Sequence, residues 1–72
     1  MKEQEFNELS VAFNAVFDKN GQIKACGRTT CMNLISLMKK YSSEDVGDES
    51  TGKINIETMK TEFSRICGWP TI

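Results

Sequence analysis

The chain has 72 residues, 39% hydrophobic and 26% charged, with nine Lys and Arg against ten Asp and Glu and no histidine. That length suffices for one small domain, which buries only about 60% of its unfolded surface, and the composition is that of a globular protein and not of a disordered tail. A net charge of -1 lacks the basic excess that binding to phosphate backbones requires, so nucleic acid is not an expected partner.

Near-neutrality hides three blocks. Residues 1 to 18 carry a net -3, residues 19 to 43 a net +5 with no acid, and residues 44 to 72 again -3. Two acidic outer thirds, if they lie side by side, attract a basic peptide. The first residues, Met1-Lys2-Glu3-Gln4-Glu5, lead into no apolar run of signal-peptide type. No stretch approaches the roughly 18 apolar residues of a membrane span. The expected setting is therefore cytoplasmic, without membrane insertion. Cys26, Cys31 and Cys67, in the absence of histidine, leave a zinc site one ligand short of four. In a reducing compartment they are expected as thiols, small apolar side chains packed on the domain.

Phe6, Leu9, Phe13, Val16 and Phe17 fall at helical spacing and predict a first helix over about residues 3 to 18. Asp18-Lys19-Asn20-Gly21 breaks it, and Gly21 is free to adopt positive φ. Gln22 to Ala25 reads as extended. Gly27-Arg28-Thr29-Thr30 offers a helix start with a threonine cap. Cys31, Leu34, Ile35, Met38 and Tyr41 then give a second stripe ending near residue 41. Ser42-Ser43-Glu44-Asp45 resembles an N-cap with acids in the first turn, predicting a short third helix around Val46 that Gly47 soon ends. Gly47 to Gly52 is a polar loop and Lys53 to Asn55 a short strand. Asn55 can cap a last helix striped by Ile56, Met59, Phe63 and Ile66, which Gly68-Trp69-Pro70 terminates. The expected fold class is all-α, with three clear helices and one short one.

Gly-x-Ile occurs twice, as Gly21-Gln22-Ile23 and Gly52-Lys53-Ile54, each time between amphipathic helices. Ala12 to Ile23 resembles the first helix and loop of a calmodulin-like EF-hand, and Gly52 to Phe63 the end of a second loop with its exiting helix. The likeness spans most of the chain, about one lobe. It implies two helix-loop-helix units whose loop isoleucines, here Ile23 and Ile54, pair as a minimal antiparallel sheet. The interval between them is shorter than in that family, so one middle helix must be cut down.

Calcium needs six to eight oxygens, with side chains at loop positions 1, 3 and 5 and a bidentate glutamate at 12 around a glycine at 6. With Gly21 at 6, these positions hold Val16, Asp18, Asn20 and Gly27; with Gly52 at 6, they hold Gly47, Glu49, Thr51 and Thr58. Each loop keeps one carboxylate and neither has the bidentate group. No metal, calcium included, and no other cofactor is expected.

Single-lobed, calcium-independent members of that family are the light chains of class I unconventional myosins, which grip an IQ motif in the heavy-chain neck and stiffen the lever arm. The resemblance implies the same function here. The residues supply a candidate groove for a basic amphipathic helix in Phe13, Phe17, Met32, Ile35, Met38, Met59 and Phe63, with Met32, off the main stripe, the residue best placed to touch a partner. The alternative from another class is a small helical inhibitor that docks on an enzyme through an acidic face. Catalysis is the weakest reading. Without histidine a Ser or Cys nucleophile lacks its commonest base, and neither standard phosphate loop is present.

Overall fold

The computed structural model describes residues 2 to 67, the side chain of Cys67 excepted. The expected stop at Gly68-Trp69-Pro70 lies outside the described residues. Three helices and one two-residue hairpin follow in the order α1 (Glu3–Val16), α2 (Arg28–Lys39), β1 (Gly47–Asp48), β2 (Lys53–Ile54) and α3 (Ile56–Cys67). The fold is mostly helical, as the stripes require.

Glu3 and Glu5 sit in the first turn of α1, where acids complement the helix dipole. The Glu5 carboxylate also accepts the Lys2 backbone N–H at 3.2 Å. Leu9, Ala12, Phe13 and Val16 face the core, while Phe6 stays 37% exposed at its margin. The helix stops two residues earlier than its periodicity suggests. Phe17 turns to extended geometry (φ -107, ψ 138) yet remains buried, because the Asp18 turn pulls the chain back. The Asp18 carboxylate accepts the N–H groups of Asn20 and Gln22 at 2.9 and 3.0 Å, Gly21 takes φ +78, and Phe17 bridges Ile23 antiparallel.

Gly27, and no threonine, is the N-cap of α2, and no side chain caps it. Leu34, Ile35, Leu37 and Met38 form its buried face. The short third helix expected around Val46 is absent: residues 42 to 46 are non-helical. Ser42 does accept a cap-like bond from the Glu44 N–H at 3.1 Å. Val46, however, must enter the core fully buried, and Gly47 beside it already pairs with Ile54, which leaves too little chain for a helical turn.

In the hairpin, Gly47 faces Ile54 and Asp48 faces Lys53. The Asp48 carboxylate accepts the N–H and hydroxyl of Ser50 at 2.9 and 2.6 Å, and Gly52 turns at φ +79. Both loops thus use an aspartate to satisfy backbone donors and a left-handed glycine to reverse the chain. Asn55 precedes α3 with its carbonyl accepting the Met59 N–H at 2.8 Å, while its side-chain amide donates to the Asp45 carbonyl at 3.0 Å.

The core joins α1, α2, Val46 and, from α3, Met59 and Phe63. The Phe13 ring stacks with Phe17 at 4.6 Å and with Phe63 at 3.9 Å. The backbones of α1 and α2 approach one another, and Phe63 of α3 stacks on Phe13 of α1.

Candidate partner-binding surface

Of the seven candidate groove residues, the structure brings six into one cluster. Phe13, Phe17, Ile35, Met38, Met59 and Phe63 are all buried, none more than 5% exposed. They fill the core instead of lining an open groove. The reason is economy: a chain this small has few large apolar side chains, and folding uses each stripe. Met32 alone stays half-buried. Its Cγ lies 3.4 Å from where a Cβ on Gly52 would be, so it rests on the second loop.

The two loop isoleucines do not pair with each other. Ile23 bridges Phe17 and Ile54 bridges Gly47, each within its own loop. With six intervening residues or fewer, each loop closes on itself more cheaply than two distant loops meet.

Two side-chain contacts, Ser42 with Glu62 and Lys60 with the Gly21 carbonyl, tie α3 to the rest. Ser42 donates its hydroxyl to Glu62 Oε1 at 2.6 Å, and Arg65 Nη2 donates to the same oxygen at 2.6 Å. Arg65 first, and Ser42 second, hold the Glu62 carboxyl below its usual range. Lys60 Nζ reaches the Gly21 carbonyl at 3.4 Å. The Glu62/Arg65 pair is legible as an i,i+3 couple on a helix; Ser42, twenty residues away, is not. Tyr41, the neighbour of Ser42 in the chain, donates to Glu5 Oε2 at 3.1 Å.

Among the described residues, two of the open clefts bear on binding. One, of 380 Å³, runs between α1 and α2 over Val11, Ala12, Ala15 and Leu37. The other, of 580 Å³, lies beside the hairpin, with Ile54 and Ile56 as its apolar lining and Asp45, Asp48 and Glu57 around it against the single base Lys53. Hydrogen bonds from Ser50, through its hydroxyl first and its N–H second, keep Asp48 below its usual range, so it is charged at neutral pH. A surface of this kind accepts an apolar side chain flanked by a cation.

Among the described residues, no three His, Cys, Asp or Glu side chains converge as a metal site, and no helix is long and apolar enough to cross a membrane. No family model, curated protein or solved structure matches this chain.

Proposed function

We propose that this protein is a calcium-independent light chain, an EF-hand-like single lobe that binds an IQ-type basic helix in the neck of a class I unconventional myosin and stiffens it. The observation that carries the proposal is the attachment of α3. Its buried Met59 and Phe63, the latter stacked on Phe13 of α1, join a core that also holds Met38. Methionine side chains repack at low cost. A helix held in this way can swing outward, and the apolar surface it uncovers is what an amphipathic partner helix buries.

The groove therefore forms on binding. Exposing Met59 and Phe63 carries a cost that the partner's apolar anchors offset, and roughly 800 Å² buried per partner is ordinary for a stable interface. The acidic rim formed by Asp45, Asp48 and Glu57 supplies charge complementarity to the Lys and Arg of such a helix. Cytoplasmic location goes with this role.

Titration calorimetry with an IQ-type peptide at low and high salt tests the proposal. Saturable heat that weakens as salt rises supports it, and Met32→Ala should reduce affinity while leaving the melting temperature near that of wild type. Absence of heat with several IQ peptides at high micromolar concentration overturns it.

A further inference from the structure

Cys26 and Cys31 bracket the start of α2. Cys26 is the residue before the N-cap Gly27, and Cys31 is the fourth residue of the helix. In many helices these two positions hold a pair of apolar side chains that pack together and fix the angle at which the chain enters the helix. Here both are thiols. Their Sγ atoms stand 3.6 Å apart, and both residues are half-buried against the core. Three further facts make the spot unusual. No side chain caps α2, a Cβ at Gly27 would meet nothing within 4 Å, and the Cys31 N–H bond to the Gly27 carbonyl is a long 3.3 Å. The helix start is thus held by thiol contact where a cap would normally hold it.

We infer that Cys26 and Cys31 form a peroxide-responsive dithiol that closes to an intramolecular disulfide, converting a packed helix entry into a covalent one. A bonded pair sits at about 2.05 Å, so closure draws the sulfurs together by about 1.5 Å, a side-chain rotation next to an open glycine. The chemistry balances in two steps. The Cys26 thiolate attacks hydrogen peroxide; an S–O bond forms, the O–O bond breaks, and hydroxide leaves to take up a proton as water. The Cys31 sulfur then displaces hydroxide from the Cys26 sulfenic acid; the S–S bond forms, the S–O bond breaks, and the thiol proton leaves with hydroxide as a second water. Sulfur is oxidised by two electrons overall and peroxide is reduced. Burial first, and the hydrogen bond to Cys26 second, push the Cys31 thiol above its usual value. The first attack is placed on Cys26, which lies outside the helix beside the open Gly27.

The test uses the reduced full chain treated with hydrogen peroxide, the remaining thiols alkylated, and the protein digested without reductant. Trypsin cuts after Lys24, Arg28 and Lys39, so a Cys26–Cys31 disulfide joins the peptide 25–28 to the peptide 29–39. The expected result is that linked pair as the main product, Cys67 still alkylated, reversal by dithiothreitol, and a higher melting temperature for the oxidised chain. In Cys31→Ser the second step is blocked, and dimedone should trap a sulfenic acid on Cys26. Sulfinic acids on Cys26 and Cys31 without the linked peptide, a disulfide through Cys67, or two thiols that remain alkylatable would each overturn the proposal. So would a dimedone adduct absent from Cys26 in Cys31→Ser.

Discussion

Replacing Phe63 by alanine removes the side chain through which α3 is most firmly seated. Phe63 is fully buried and its ring contacts Phe13 at 3.9 Å. Truncating a buried phenylalanine costs about 3 to 5 kcal/mol, lost transfer energy plus the cavity left behind. The rings lie 11° from parallel; burial supplies most of the loss, and the middle of that range is expected. At about 0.05 to 0.15 kcal/mol per residue, a chain of 72 residues has a total stability of about 4 to 11 kcal/mol. The substitution therefore removes a third or more of it. Urea denaturation followed by far-ultraviolet circular dichroism measures this directly, with a lower midpoint and an unchanged slope expected. Val11→Ala, at a site 70% exposed, is the control and should stay within about 0.5 kcal/mol of wild type. If Phe63→Ala costs less than about 1 kcal/mol, or no more than Val11→Ala, α3 is not seated on α1 through this ring and the account of the core is wrong.

Three further outcomes follow from the loops and from Glu62. Alanine at the three positive-φ glycines should destabilise in the order Gly47, Gly52, Gly21, since the new Cβ meets the Lys53 carbonyl at 2.6 Å, Arg28 Cγ at 2.8 Å, and only the flexible Lys60 Nζ at 3.3 Å; equal melting temperatures for the three variants would refute the described loop conformations. Because Arg65 and Ser42 hold Glu62 below the usual glutamate value of about 4.3 in the folded state, the carboxylate stabilises the fold above that value and the contribution disappears as pH falls through the folded pKa. Glu62→Gln should thus lose less stability than wild type on acidification below about pH 4.3, and parallel acid limbs would contradict the contact. Millimolar calcium should leave the amide spectrum unchanged, because Asp18 and Asp48 each already accept two donors within their own turns and no bidentate carboxylate stands at either loop end; saturable shifts at Gly21 or Gly52 would count against this.

The helices were legible because their signals are local. Leu9, Phe13 and Val16, then Leu34, Ile35 and Met38, then Met59 and Phe63, each repeat at helical spacing and each is buried. Gly21 and Gly52 announce turns by type, and both take positive φ. What spacing could not decide is which distant segment a residue meets. Ile23 was expected opposite Ile54, but Phe17 and Gly47 are nearer partners along the chain and win. The Ser42 cap signal is present and makes its local bond, yet Val46 must reach the core and no helix follows. Six of the seven groove residues share one buried cluster, and Met32 lies outside it. Periodicity gives a helix's apolar face but not whether a neighbour covers it, so their burial in the core was beyond its reach.

For a partner helix to enter, α3 must lift from the Met38–Met59–Phe63 core. Methyl-labelled methionine NMR during titration with an IQ-type peptide reads that event at the residues concerned. Lifting of α3 should give saturable shifts of the Met38 and Met59 methyls, with contacts from the peptide's apolar side chains to both. Peptide binding that moves only the surface-side Met32, or leaves all three methyls where they were, would contradict it.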